Sequence, residues 1–332
     1  MRPFATILAA GLAFALGSTI ALAATEDEPA ADDHVVVLPA PTDLDAPAPN
    51  VDPRRFGKVP DPAFGAFQRG LYITALNLAR PRAEEGDAAA QTLVAEIYAR
   101  GLGVRRDPEQ AAQWYRRAAE QGNLDAQFQY ALLLIDGKHF EKDEEQAFAL
   151  MEEAANAGNR LAQFNFAQML LDRQPGSAGL ERAIDFFEKA ARSGLPDAQY
   201  AMAQVYVSGA GDKDRDEAIA RRWLERAASQ SYDTAQLELG TWLVEGRGGE
   251  RDEEAGFAWL KRAAEIGNVA AQNRLAKLYR AGVGTDPDSV TAAAWYILAR
   301  RAGLVDPEMD VFLEGLTEEQ RRDAIAQANR LR

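Results

Sequence analysis

The hydrophobic and small positions of this chain recur on a fixed period. An Ala-Gln pair returns with Gln at 91, 127, 163, 199, 236 and 272, at spacings of 36, 36, 36, 37 and 36. A small residue follows at Ala111, Ala147, Ala183, Ala220, Gly256 and Ala292. Three residues later comes a large apolar one: Trp114, Leu150, Phe186, Trp223, Trp259 and Trp295. A fixed period of this length marks an array of small stacked units, none of which can bury its apolar face alone. The one extra residue falls between Gln199 and Ala220, and the loop from Gly209 to Arg215 is the expected place for it.

Each unit reads as two helices. Counted from the Gln, position +4 is Ala95, Ala131, Ala167, Ala203, Gly240 and Ala276, and position +7 is Tyr98, Leu134, Leu170, Tyr206, Leu243 and Tyr279. Positions 0, +3, +4 and +7 share one helix face. A small residue at +4 in every copy predicts a close helix crossing there. Trp114 with Ala118 and Trp259 with Ala263 set the same spacing in the second helix. Asp107-Pro108-Glu109-Gln110 and Asp143 to Gln146 predict N-caps with a capping-box Gln. The second helices should end at Gly122, Gly158, Gly194, Gly267 and Gly303 in a left-handed cap. Ser231 stands at that point in the fourth copy and predicts a weaker cap.

This pattern resembles the Sel-one-like repeat, a relative of the tetratricopeptide repeat. The matching residues run from Ala90-Gln91 through Tyr98, Gly101, Gly103-Val104, Asp107, Ala111, Trp114 and Ala118-Ala119 to Gly122. The resemblance implies an all-α fold: a right-handed α-solenoid of paired antiparallel helices over residues 62–303, an incomplete opening unit plus six repeats. The second and third copies carry His139 and Pro175 where the other copies have Gly, so their inter-helix loops should differ.

The two ends depart from the period. Residues 1–23 read as a cleavable signal peptide: Arg2, an apolar run from Phe4 to Leu16, and Ala21-Leu22-Ala23 before a cleavage near Ala24. Residues 24–61, rich in Pro, Ala and Asp, read as a disordered tether. Within them Val35-Val36-Val37-Leu38 is an apolar island, either inert or a docking segment. In the opening unit Ala75, Leu78 and Gly86 precede Ala111, Trp114 and Gly122 by 36 residues, but Arg82 breaks the match and Pro81 should kink the helix. Residues 304–332 read as C-terminal capping helices, the last opened by the capping box Thr317-Glu318-Glu319-Gln320. Arg321, Arg322, Arg330 and Arg332 give it a basic face, read as a solvated cap.

Charge and composition narrow the function. A net charge of −14 disfavours nucleic acid and anionic lipid, and the absence of cysteine excludes a zinc-cysteine site and a cysteine nucleophile. His34 lies in the tether and His139 in a loop, far in sequence from Ser177, Ser193 and Ser208, so no hydrolytic triad is assembled. Asp212-Lys213-Asp214-Arg215-Asp216 begins like a calcium loop but has Glu217 and Trp223 where the motif needs Gly and a carboxylate. Asp216 is better read as an N-cap. The acidic pairs at Asp143-Glu144-Glu145 and Asp252-Glu253-Glu254 suit helix N-termini. No catalytic residue, cofactor or metal is assigned.

A second stripe of the first helix, at +1, +5 and +8, is the candidate for partner binding. It holds Phe128, Leu132 and Ile135; Phe164, Gln168 and Leu171; Tyr200, Gln204 and Val207; and Leu237, Thr241 and Val244. In the end copies it turns small or polar: Thr92, Glu96, Ala99 and Asn273, Lys277, Arg280. Two readings stand: packing between repeats, or a groove for a protein partner with Gln168 and Gln204 exposed. The chain also resembles the ExoR-type periplasmic regulators, through Ala66-Phe67-Gln68-Arg69-Gly70 with Thr74-Ala75-Leu76, and Ala293-Ala294-Trp295-Tyr296 before Arg300-Arg301-Ala302-Gly303-Leu304. That resemblance implies a periplasmic, non-enzymatic protein that binds the outer domain of a membrane sensor histidine kinase and holds it inactive, with exopolysaccharide-type control. After signal cleavage no membrane insertion is expected. An envelope assembly scaffold is the alternative. A β-lactamase-like hydrolase is a further one, weakened by the lack of cysteine and of a Ser-x-x-Lys motif.

Overall fold

The computed structural model describes residues 61–331, and all regular structure among them is helical. The leader 1–23, His34, Val35–Leu38 and the rest of the tether up to residue 60 lie outside the described residues, as does Arg332. Two compact units result, meeting in sequence at Asn159–Arg160. The first holds α1 (Pro62–Gln68), α2 (Tyr72–Glu84), α3 (Ala88–Arg100), α4 (Pro108–Ala119), α5 (Leu124–Asp136) and α6 (Glu144–Asn156). The second holds α7 (Arg160–Arg173), α8 (Ser177–Arg192), α9 (Pro196–Ser208), α10 (Glu217–Ser229), α11 (Asp233–Glu245) and α12 (Glu253–Glu265). It continues with α13 (Val269–Ala281), α14 (Ser289–Arg301), α15 (Pro307–Glu314) and α16 (Glu318–Arg330).

Within each repeat the two helices cross at the small positions. Ala95, Ala131, Ala167, Ala203 and Ala276 are wholly buried, as are Ala147, Ala183, Ala220 and Ala292. The approach is closest between α11 and α12. A Cβ on Gly240 would lie 2.9 Å from the Gly256 carbonyl oxygen, and one on Gly256 would lie 2.7 Å from that of Gly240.

The recurring Gln does more than fill a face. Gln91 Nε2 donates to the Ala83 carbonyl (3.0 Å), Gln199 to Ala191 (3.2 Å), Gln236 to Ala228 (3.1 Å) and Gln272 to Ala264 (3.3 Å). Each acceptor lies in the last turn of the preceding second helix, where carbonyls have no intrahelical donor. The Gln therefore stitches one repeat to the one before it. Gln121 Nε2 donates in turn to Gln91 Oε1 (2.7 Å), and Gln230 to Gln199 (2.8 Å).

The helix ends follow the sequence. Asp107 accepts from the Gln110 N–H (2.9 Å), Asp143 from Gln146 (2.8 Å), Asp216 from Ile219 (2.9 Å) and Asp252 from Ala255 (2.9 Å). The Gln110 amide donates to the Asp107 carboxylate (3.0 Å), so that box closes side chain to side chain. At Thr317 the reciprocal box with Gln320 is complete. Ser231 sits at φ 65°, the one positive-φ residue other than glycine among the described residues, at the point where its counterparts are Gly. The extra residue does lie in the loop between α9 and α10, which has eight residues, 209–216, against seven, 101–107, between α3 and α4.

The two loops without the second Gly differ as expected. Where Gly is present the loop touches the preceding repeat: a Cβ on Gly284 would meet the Glu253 carbonyl at 2.2 Å. In the second copy Phe140 packs edge-on against Tyr130 (5.3 Å) and lies under the Arg116 guanidinium (5.9 Å). In the third, α8 starts early, leaving only residues 174–176 between the helices.

At the start of the array, Asp61 is not tether. It caps α1 through Ala63 and Phe64. Helix α2 runs through Pro81 to Glu84. Arg82, the residue that breaks the period, reaches Asp61 (2.9 Å) and forks onto Asp87, the N-cap of α3. Against burial, the Ala90 N–H and then the Arg82 guanidinium hold the Asp87 carboxyl below its ordinary range.

Candidate protein-binding surface

The +1, +5, +8 stripe faces neighbouring elements of the chain. Phe128 and Phe164 are 7% and 2% exposed, and Phe164 packs on Phe187 of α8 (5.5 Å), so neither offers a partner usable surface. Tyr200 packs on Tyr232 at the start of the next repeat (5.4 Å). Gln204 Nε2 donates to Glu238 of α11 (2.9 Å), which also accepts from the Tyr200 hydroxyl. Burial pushes the Glu238 carboxyl above its ordinary range, and burial beside that carboxylate pushes the Tyr200 hydroxyl up as well. Leu237 packs on the apolar cluster around Leu275 and Tyr296, and the Thr241 hydroxyl donates to the Leu237 carbonyl (2.9 Å). Gln168 is half-buried, and its Nε2 is shielded with no hydrogen-bond partner.

The last copy explains the stripe. Asn273 donates to Asp306 (2.8 Å), Lys277 reaches Asp306 (2.7 Å) and Glu308 (3.3 Å), and Arg280 pairs with Glu308. These three polar residues receive α15, which Asp306 caps through Met309 (3.3 Å). The hydrogen bonds of Asn273 and Lys277, with the Lys277 charge and the Met309 N–H, lower the Asp306 carboxyl to about 2 against its burial. From the fourth copy on, the aromatic and polar versions of the stripe thus do the same job, holding the next element. In the first copy Glu96 accepts instead from the Tyr115 hydroxyl of its own repeat (2.7 Å).

The deepest large residue of the second helix lies one position after the recurring large apolar one. The deepest residues are Tyr115, Met151, Phe187, Leu224, Leu260 and Tyr296. The signal was present: Ala111, Tyr115 and Ala118 are spaced 0, +4 and +7 on one helix face. The preceding aromatic lies at the margin of that face, under a cation three residues on. Arg117 covers Trp114 (4.8 Å), Lys189 covers Phe186 (4.5 Å), Arg226 covers Trp223 (4.6 Å) and Arg262 covers Trp259 (4.8 Å). Such pairs shield the ring faces of Trp114 and Trp259, which are half-buried, and of Phe186 and Trp223, which are buried.

The acidic clusters are structural. An open cleft of about 850 Å³ is lined by Arg221, Glu250 to Glu254 and Gly284 to Asp286. Asp252 there is an N-cap, Glu253 pairs with Arg251, and Arg221 donates to the Glu250 carbonyl (2.9 Å). Asp216 is a cap as well, and Lys213 of the same loop pairs with Glu188 (3.5 Å). Among the described residues no three His, Cys, Asp or Glu side chains gather in a metal-holding group, and no helix is long and apolar enough to cross a membrane. His139 lies in the loop after α5, while Ser177 opens α8, Ser193 follows it and the Ser208 hydroxyl donates to Gln204 of its own helix (2.9 Å).

Paired helices, fixed period and stitched junctions define a protein of the all-α repeat class. The Sel1 repeat model matches six consecutive segments, 88–123, 124–159, 160–195, 196–232, 233–268 and 269–304, and the chain belongs to the Sel1 repeat family. The fourth match is the 37-residue one. A Sel1 repeat protein from Oxalobacter formigenes is similar at 27% identity and a TM-score of 0.64, over 72% of this chain and 98% of that one. The uropathogenic Escherichia coli protein c5321, a protective antigen with an SLR fold, is similar at 26% identity and a TM-score of 0.51, over 78% of this chain. The chain spans 64% of the length of c5321. A comparison with curated proteins found no match. Sel1 repeat proteins are generally protein-interaction adaptors, and this chain is an all-α solenoid of that kind.

Proposed function

We propose that this protein is an exported, periplasmic regulator that binds the outer domain of a membrane sensor histidine kinase and restrains it. The observation that carries the binding role is the run of six Sel1 repeats, the signature of an adaptor family, over residues 88–304. The kinase and the compartment rest on the sequence: the signal-like residues 1–23 and the ExoR-like stretches around Ala66–Gly70 and Ala293–Leu304. The first stretch closes α1 and the second lies on α14, so both fall at the ends of the array.

Restraint requires that the protein bind the kinase-off state more tightly than the kinase-on state, since equal affinity shifts nothing. Of the stripe residues, Gln168 remains the best contact for a partner. It is half-buried, and its amide donor, shielded in place and unsatisfied within the chain, reaches a partner by rotation of the side chain. Deleting the gene should raise output of a two-component pathway, and the purified kinase outer domain should bind the mature protein in a titration. Gln168→Ala should weaken that binding about 5- to 30-fold, the effect of one lost buried hydrogen bond. Unchanged pathway output together with no binding would remove the kinase reading. Unchanged affinity of Gln168→Ala would remove only the assigned contact.

A further inference from the structure

The opening helix α2 is in register with every second helix of the array. Its Ile73, Thr74, Asn77 and Pro81 correspond to Glu109, Gln110, Gln113 and Arg117 in α4, and to Val290, Thr291, Ala294 and Leu298 in α14. In the five intervening helices the last of these positions is always charged: Arg117, Glu153, Lys189, Arg226, Arg262. That is the composition of a helix face turned to water. At the two ends of the series it is Pro81 and Leu298.

In α14 the uncharged face is covered. Helix α16 lies against it, with Ala324, Ala328 and Ala294 fully buried and Gln327 Nε2 donating to the Thr291 hydroxyl (3.0 Å). In α2 the matching face is bare among the described residues. Ile73 is 58% exposed and Leu78 43%, with Leu71 at 50% beside them. From Leu71 to Ala79 there is no charged residue, in a chain where 27% of residues are charged. Pro81 adds a second feature. It has no N–H, so the Asn77 carbonyl four residues earlier lacks its intrahelical donor, and Asn77 is exposed. The face therefore offers apolar side chains and an unclaimed acceptor together.

We propose that this chain's own N-terminal segment, through Val35-Val36-Val37-Leu38, covers the outer face of α2 as α16 covers α14. That segment holds the one run of large aliphatic residues between 24 and 60. None of the run's four residues is proline, so each carries a backbone N–H of the kind the Asn77 carbonyl lacks. Residues 39–60 separate it from Asp61 and can span at most about 75 Å, ample to return to a helix that α1 already packs against. Covalent connection also gives the segment an effective concentration of about millimolar, which favours it over a second copy of the chain at ordinary dilution.

The absence of cysteine makes a clean test, independent of any kinase. In the mature chain, Val36→Cys is combined with Asn77→Cys, or with Gln113→Cys as the same outer position one repeat on. Under one oxidant the first pair should form an intramolecular disulfide at least about tenfold faster than the second. The difference should vanish when Val35 and Leu38 are also changed to Asp. Equal rates for the two pairs, or persistence of the difference with the Asp changes, would overturn the proposal. A disulfide-linked dimer as the main product would assign the face to a second copy and overturn it too.

Discussion

At the start of the array one side chain, Arg82, ties α1, α2 and α3 together by bridging two N-cap aspartates, Asp61 and Asp87. At the other end a row of three, Asn273, Lys277 and Arg280, receives a separate helix through Asp306 and Glu308, and a further helix then covers α14. Both ends solve one problem. An interior repeat has a neighbour on each side, and a terminal repeat must find a substitute for the missing one. The C-terminal end uses two helices and buries apolar surface. The N-terminal end, as far as the described residues go, uses one seven-residue helix and a guanidinium. The first should be the stiffer.

The largest expected contrast is between matched positions on the two outer faces. Ala294→Asp buries a charge under α16 and should cost about 3 kcal/mol or more, whereas Asn77→Asp should cost about 1 kcal/mol or less. Denaturant unfolding of both variants, followed at the affected end by hydrogen exchange, checks the pair. Equal costs would erase the distinction between the ends.

Next comes Asp306. Its carboxyl is held at about 2, below its ordinary 3.8, so it contributes stability fully present above about pH 4 and lost as pH falls through 2. Asp306→Asn keeps a capping oxygen but removes the charge. It should cost about 1–2 kcal/mol at pH 7, and the deficit should close as both proteins approach pH 2. A deficit that is flat in pH would show that the charge is not what holds α15.

Arg82→Ala should cost less, about 1 kcal/mol, because its guanidinium is partly exposed, and the cost should shrink in high salt. Arg82→Lys should recover only part, since an ammonium cannot fork onto both aspartates. Thermal melts at two ionic strengths decide it. The smallest effect is an interior control: Ser231→Gly relieves a left-handed serine and should raise stability by about 0.5 kcal/mol. If that variant changed either end, the repeats would not be acting as near-independent units.

Much of this was legible in the sequence because it rests on local chemistry. The Gln register, the Asp caps, the glycine ends with Ser231 as the exception, and the inserted residue between α9 and α10 all appear where the period puts them. The partners of those residues were not legible. Nothing local says that Gln91 reaches back to Ala83, or that Asn273, Lys277 and Arg280 await a helix more than twenty residues on. The stripe read as a possible groove because aromatic and polar residues alternate along it. Its two kinds of residue serve one packing role, since an aromatic can meet another repeat and a cation can meet the acidic cap of α15. The recurring large residue is buried at Phe186, Trp223 and Trp295 and half-buried at Trp114 and Trp259, where an arginine one turn on covers the indole, while Tyr115 and its counterparts lie deepest.

The chain's own C-terminal helices complete its last repeat, so the last stripe is occupied and not waiting for a partner. Amide-resolved hydrogen exchange on the protein, compared with a chain ended after Gly303, tests this. Protection in α13 and α14 should fall by about tenfold or more while α9 to α12 keep theirs, because each repeat leans only on its neighbours. Undiminished protection of α13 and α14 in the shortened chain would contradict the account.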